Sequence, residues 1–158
     1  MNKHGMNQHG TSYFKLSIMT LLSFIAMYIL MYMMVNQFTN VYSSLNQFYM
    51  AGMMTAPMVI FELLLMSSMY PNKVLNSILF LVMMIFLIGF IFGIRNQTGI
   101  SDKEFLKSMI PHHGGAILMC SKATIKDTEI QKVCESIISS QQSEIDWMKN
   151  KLISLETK

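Results

Sequence analysis

Two adjacent imidazole side chains and a thioether stand close together in the segment Met109–His113, which reads Met-Ile-Pro-His-His. Met119 and Cys120 follow His112 by seven and eight residues. Soft sulfur ligands combined with imidazole suit copper, above all Cu(I), better than hard cations such as Mg²⁺ or Ca²⁺. The sequence therefore predicts a copper site, for Cu(I), Cu(II) or both. Its candidate ligands are Met109, His112, His113, Met119 and Met148.

The two histidines do not easily share one ion on a regular helix, because successive side chains point about 100° apart. Pro111 removes a backbone donor and crowds the carbonyl four residues earlier, so we expect a kink that lets both rings reach one metal. Met148 is expected near Met109, on the facing helix of the hairpin described next. The alternative is that His112 and His113 are hydrogen-bonded interface residues that bind no metal.

A hairpin of two helices is predicted to position these residues. Ser101-Asp-Lys-Glu104 matches a capping box, in which the hydroxyl and the carboxylate each accept from a free backbone N–H, so a helix should begin at Ser101. Lys126-Asp127 marks the break, and Asp127 is a plausible N-cap for the second helix. The apolar stripe of that helix extends to Leu152 and has one polar member, Gln141. Because two helices share one seam and form no closed core, we expect a homodimer to complete a four-helix bundle.

Two cysteines flank the predicted turn at similar distances, and three interpretations of them stay open. Cys120 and Cys134 can form a disulfide in an oxidising compartment. They can also hold Cu(I) as a thiolate pair, or they can be two small buried side chains. The distance between their α-carbons decides, because a disulfide requires about 7 Å or less.

Three membrane spans precede the hairpin. The chain is 52% apolar and only 13% charged, and between Leu16 and Ile94 the only charged side chains are Glu62 and Lys73. Such a stretch favours a bilayer over water as its surroundings. The resulting all-α arrangement is a polar N-terminal tail (1–15), a transmembrane region (16–95) and a C-terminal hairpin domain (96–158). The spans cover about 16–35, 48–69 and 75–94, and the first is an uncleaved anchor because no Ala-x-Ala site follows it.

The lysines in the short connections predict the orientation. Lys3, Lys15 and Lys73 fall on one side of the membrane if the spans alternate, whereas the first connection, 36–47, carries no charge. By the positive-inside rule the N-terminus is cytoplasmic. The hairpin domain is then periplasmic, and the protein belongs to a bacterial inner membrane.

Three further features of the sequence have two readings each. Glu62 is costly inside a bilayer and is either functional or bonded within the bundle to Ser67, Ser23 or a water. The methionine-rich spans suggest a Cu(I) relay, but methionine is more often an adaptable apolar filler. The tail residues His4, Met6 and His9 are copper ligands of low affinity or, as we expect, part of a disordered polar segment.

The segment from Asp102 to Leu152 resembles the DUF305 family. The resemblance rests on Met109-Ile-Pro-His-His113, Ala116-Ile117, Met119 and the run Ile137-Ile138, Gln141, Glu144-Ile145, Met148. The spans resemble a membrane-anchored subgroup through Met27-Tyr28, Met31-Tyr32, Tyr49-Met50-Ala51, Met54 and Met69-Tyr70-Pro-Asn-Lys73. This resemblance implies a ferritin-like fold, an exported domain, and a role in copper binding and copper tolerance.

The expected function is that of a membrane-anchored periplasmic copper-binding protein. It would buffer copper or hand it to an exporter or a periplasmic carrier, and no enzymatic turnover is expected. The alternatives are a dimerising structural module without a metal role, a ferritin-like di-iron enzyme and a Cu(I) transporter. The di-iron enzyme requires Glu-x-x-His pairs, and the sequence has none. No basic run suggests nucleic acid as a partner.

Overall fold

The computed structural model describes the backbone of residues 3–157 and the side chains of residues 11–157. Over this range it is helical, with no strand. The helices are α1 (Lys3–Leu30), α2 (Leu45–Leu65), α3 (Lys73–Arg95), α4 (Asp102–Lys122) and α5 (Thr128–Glu156). Short 3-10 turns lie at Met31–Met34, Phe38–Asn40 and Ser67–Met69. The prediction of an all-α protein is confirmed.

Three segments are long and apolar enough to cross a membrane: Thr11–Met34, Leu45–Leu65 and Lys73–Arg95. The second was predicted three residues later, from the first run of apolar side chains. Helix α2 begins earlier because the Ser44 hydroxyl accepts a hydrogen bond from the Gln47 N–H at 3.3 Å and so caps its first turn. A cap, rather than hydropathy, therefore determines where this helix starts.

Helix α1 begins at Lys3, so the backbone of most of the polar tail is helical instead of disordered as predicted. The side chains of His4, Met6 and His9 lie outside the part of the chain whose side chains the structure describes.

The chain forms two compact units, which we name by their contents. The span unit consists of α1 and residues Phe48–Thr98, which include α3 and most of α2. The hairpin unit joins the connection Met31–Gln47 to the segment that begins at Gly99 and holds α4 and α5. The uncharged first connection, assigned from the sequence to the transmembrane region, is thus part of the hairpin unit.

Within the span unit, Glu62 has a partner that the sequence did not reveal. The Tyr70 hydroxyl donates to Glu62 Oε1 at 3.1 Å, and the Asn76 amide donates to the Tyr70 carbonyl at 2.7 Å. Burial, together with this hydrogen bond, raises the pKa of Tyr70 to about 12, so the hydroxyl stays protonated and continues to donate. Glu62 is therefore bonded within the bundle, although to Tyr70 rather than to Ser67 or Ser23.

The hairpin unit is held together by one apolar seam between α4 and α5. Its buried members are Leu106, Ile110, Ile117, Ile145, Met148 and Leu152, and Tyr42 from the first connection packs against them. Both predicted caps are confirmed. The Ser101 hydroxyl accepts from the Glu104 N–H at 3.4 Å, and Asp127 Oδ1 accepts from the N–H groups of Glu129 and Ile130. The Glu104 carboxylate departs from the predicted capping box, because its Oε2 accepts from the Leu45 N–H at 2.7 Å.

Cys120 and Cys134 form a disulfide that closes the turn end of the hairpin. Their α-carbons lie 5.2 Å apart, well within the range that a disulfide allows. Of the three interpretations left open by the sequence, the structure therefore adopts the disulfide.

Candidate functional site

His113 is buried and joins the two helices of the hairpin. Only 7% of its surface is exposed. Its Nδ1 lies 2.9 Å from the Met109 carbonyl oxygen, and its Nε2 lies 2.7 Å from Glu144 Oε2 on α5. Both ring nitrogens therefore lie within hydrogen-bond distance of protein oxygens, and neither faces an open position for a metal.

His112 points away from the seam and is exposed. The centroids of the two imidazole rings lie 6.1 Å apart with their planes at 65°, as the turn of about 100° per residue dictates. Helix α4 continues through Pro111 from Asp102 to Lys122. The adjacent histidines consequently have different surroundings: His113 is occupied by protein oxygens, whereas no hydrogen bond engages the His112 ring within the described part of the chain.

The three candidate methionines differ in burial in the same way. Met148 is 5% exposed and belongs to the apolar seam. Met109 is half-buried and packs against that seam, whereas Met119 is 53% exposed. Of the five predicted ligands, the structure therefore places His113 and Met148 in the interior, His112 and Met119 at the surface, and Met109 between them.

The hairpin has a second face beside the seam, which we call the open face. It consists of the residues that immediately precede the inward-facing residues of each helix, and in antiparallel helices these lie on the same side of the pair. The inward-facing residues are the seam together with His113, Cys120, Cys134, Ile138 and Gln141. The antiparallel arrangement is given by the disulfide near the turn and the His113–Glu144 bond further from it. The members of the open face are Phe105, Met109, His112, Ala116 and Met119 on α4, and Val133, Ile137, Ser140, Glu144, Trp147 and Lys151 on α5.

Three of the predicted ligands, Met109, His112 and Met119, lie on the open face. Met109 and His112 are three residues apart, which places their Cβ atoms about 5–6 Å apart on adjacent turns. Met119 lies seven residues beyond His112, roughly 10 Å along the axis at about 1.5 Å per residue. One ion can therefore be held by Met109 and His112 but does not reach Met119 of the same helix. In the described residues no group of three His, Cys, Asp or Glu side chains is placed to hold a metal.

Most of the open face is apolar. Phe105 is 50% exposed, Val133 56% and Trp147 62%. Large exposed side chains of this kind along one face of a hairpin mark a surface that another molecule covers. His112 lies midway between Phe105 and Met119 along this surface, so a molecule that covers the face also covers the imidazole.

Comparison with known proteins gives the family of the hairpin. Residues 94–152 match the model of a family described as Domain of unknown function (DUF305). The chain is also similar to the "Uncharacterized protein L153" of Acanthamoeba polyphaga mimivirus, at 34% identity over 135 residues that cover 83% of this chain and 86% of the viral protein. The chain belongs to the DUF305 family. No solved structure matches it.

The family segment coincides with the hairpin, from the last turn of α3 to Leu152 in α5. The similarity to the viral protein is longer, since 135 aligned residues extend beyond this segment into the spans. The DUF305 match therefore covers the hairpin. The similarity to the viral protein also covers part of the region that holds the three long apolar helices.

Glu144 is the functional-site residue that sequence reasoning did not assign. The polar residue that the sequence indicated on α5 was Gln141, which lies one helical turn before Glu144. The Cα–Cβ bonds of each helix lean toward its own N-terminus, so in an antiparallel pair a side chain on α4 meets a later residue on α5. Allowing for this lean would have identified Glu144 as the partner of His113.

The first connection packs on α4 beside His113. A Cβ added at Gly114 would lie 2.8 Å from Asn36 Oδ1 and 3.1 Å from a Val35 methyl. Asn36 Oδ1 in turn accepts from the Asn40 amide at 2.8 Å, and Asn40 is only 1% exposed. The absence of a side chain at Gly114 is what admits this polar contact.

Replacing Gly114 with Ala should therefore loosen the first connection from α4. We expect a cost of about 1–3 kcal/mol from the overlap with Asn36, visible as faster hydrogen exchange in Met31–Gln47. Gly115→Ala is the matched control, because its new Cβ would meet only the Met34 carbonyl at 3.5 Å. That variant should be more stable by about 1 kcal/mol, as alanine favours a helix over glycine. Equal exchange in the two variants would contradict the assigned contact.

Proposed function

We propose that this protein is a membrane-anchored copper-binding protein that buffers copper or passes it to an exporter or a periplasmic carrier. The observation that carries the proposal is the placement of Met109 and His112 on one exposed face, with a thioether and an unengaged imidazole on adjacent turns. Sulfur and imidazole together form a donor set for Cu(I), and imidazole also suits Cu(II). His113 stabilises the site, because its bond to Glu144 holds the turn of α4 that carries Met109 and His112.

A second copy of the chain completes the site in this proposal. One hairpin supplies two ligands to one ion, and a homodimer formed through the open face brings two copies of His112, Met109 and Met119 toward each other. Covering the apolar side chains of that face gives the second copy its driving force. The result is a four-helix bundle with the ferritin-like architecture that the resemblance implied.

Two features support an extracytoplasmic position for the hairpin unit. Disulfides persist in oxidising compartments such as the periplasm, and the hairpin holds one. The first connection and the hairpin also form a single unit, and three alternating spans put these two segments on the same side of a membrane. Together with the positive-inside rule, this favours a cytoplasmic N-terminus and a hairpin unit on the periplasmic side of an inner membrane.

The test is a competition titration of Cu(I) on the full chain in detergent, comparing His112→Ala with His113→Gln. His112→Ala should weaken binding by about a hundredfold or more, since even changes outside the ligand set cost 10–100-fold. His113→Gln should retain most of the affinity while losing thermal stability, because that ring is occupied by protein oxygens. Equal, weak binding by the wild type and both variants would contradict the copper proposal.

The apolar content of the open face favours one alternative, a dimerising module without a metal role. In that case both histidine variants would leave metal content and copper tolerance of the host cell unchanged. Trp147→Ala, which removes the largest exposed apolar side chain of the face, would still dissociate the dimer. The titration and the measured oligomeric state together distinguish the two functions.

A further inference from the structure

The span unit contains a long cavity bounded by all three membrane helices. Its volume is about 540 Å³. The cavity runs from Tyr13 to Phe24 on α1 and from Leu75 to Phe90 on α3. At about 1.5 Å per residue these stretches are roughly 16 and 22 Å long, comparable with one leaflet of a hydrocarbon core about 30 Å thick.

The wall of the cavity is mostly apolar, although it includes four hydroxyl-bearing residues, Tyr13, Ser17, Thr20 and Thr55. Ser17 donates to the Tyr13 carbonyl at 3.1 Å, and Thr20 and Thr55 donate to backbone carbonyls of their own helices at 2.8 Å. The hydroxyl protons of Ser17, Thr20 and Thr55 are therefore engaged by backbone oxygens. Of the described methionines only Met83 lines the cavity, so it also lacks the row of sulfur ligands that a Cu(I) path would need.

The two ends of the cavity differ. At one end Tyr13 joins a polar group, since its hydroxyl donates to Asn76 Oδ1 at 2.7 Å. Lys15 and Lys73 are exposed at this same end of the helices. At the other end the wall is formed by the aromatic rings of Phe24, Phe86 and Phe90. One end of the cavity is thus polar and cationic, and the other is lined by aromatic rings.

We infer that this cavity binds one acyl chain of an anionic phospholipid, with the headgroup beside Lys15 and Lys73. A methylene group is close in size to a water, which takes ~30 Å³, so the volume holds about eighteen of them, as in one long acyl chain. A transmembrane helix of a second copy does not fit, because a cylinder of the same length and about 10 Å across needs roughly three times the volume. Lysines near a bilayer surface attract anionic headgroups.

The experiment measures retained lipid on the intact chain by native mass spectrometry. The protein is reconstituted in vesicles of equal phosphatidylglycerol and phosphatidylcholine, then extracted in a mild non-ionic detergent. Two variants fill the cavity from different helices: Ala56→Phe on α2 and Leu79→Phe on α3. Ile78→Phe is the control, because Ile78 neighbours Leu79 but is 53% exposed and does not line the cavity.

The wild type and Ile78→Phe should each retain one phospholipid, mainly phosphatidylglycerol. Both filling variants should reduce retention about tenfold or more at unchanged helical content, since the added ring takes the space of several methylenes. Lys15→Gln and Lys73→Gln should each lower the preference for phosphatidylglycerol roughly fivefold. Equal retention by all variants would show surface lipid only and overturn the proposal. Loss of a dimer instead of a lipid in the filling variants would overturn it in favour of a protein occupant.

Discussion

Replacing Ile145 with Ala should destabilise the hairpin unit by about 2–5 kcal/mol, the usual cost of truncating a large side chain in a packed core. Ile145 is 0% exposed and lies in the middle of the seam on α5. It packs in the same cluster as Ile110, which is also 0% exposed. Because Ile145 is fully buried within the cluster, we expect the cost to fall in the upper part of this range.

Hydrogen exchange of the amides of α4 and α5 in the full chain measures this cost. Ile153→Ala is the matched control, because Ile153 is on the same helix and has the same side chain but is 60% exposed. The control should change the protection of these amides by less than about 0.5 kcal/mol. If the amides of the two variants exchange at the same rates, the apolar seam does not stabilise the hairpin.

Several elements of the fold were predictable because local signals in the sequence determine them. Ser101 and Asp127 cap their helices as their side-chain chemistry predicts. The three spans follow from long stretches with almost no charge, since a bilayer excludes ionised side chains. Such features depend on residues close together in the chain, and they need no knowledge of tertiary contacts.

The features that could not be predicted depend on contacts between distant residues. Glu104 was expected to close its own capping box, but its carboxylate bonds to the Leu45 N–H, 59 residues earlier. The Glu62–Tyr70 bond requires the turn after α2 to fold back on that helix. In the first case a distant partner replaces a local one, and in the second the turn after α2 decides which polar group meets the carboxylate.

The candidate site likewise combines features that the local sequence determines with features that tertiary contacts determine. Sequence reasoning identified Met109, His112, His113 and Met119 as candidate ligands on one predicted helix, because they lie close together in the chain. It did not separate His112 from His113, since which of two adjacent rings meets Glu144 depends on the register between α4 and α5. The tertiary contact therefore changes the chemical interpretation: of the two candidate ligands, His113 is bonded to Glu144, and His112 alone keeps an unengaged ring.

Removing both cysteines should cost the hairpin about 3 kcal/mol, the loop-closure term for a disulfide that closes a loop of about 15 residues. Cys120 and Cys134 are 14 residues apart and lie beside the turn. The double variant Cys120→Ala/Cys134→Ala should therefore lose hydrogen-exchange protection in α4 and α5, and treatment of the wild type with a reductant should reproduce the loss.

The same double variant distinguishes the two sulfur chemistries that the sequence left open, a disulfide and a Cu(I)–thiolate pair. A disulfide engages both sulfur atoms, so in the oxidised protein neither is a thiolate ligand, and the proposed copper site has only imidazole and thioether ligands. The variant should then keep the Cu(I) affinity of the oxidised wild type although it is less stable. A large fall in affinity would instead identify the cysteines as the copper ligands, and His112 would then belong to the dimer interface alone.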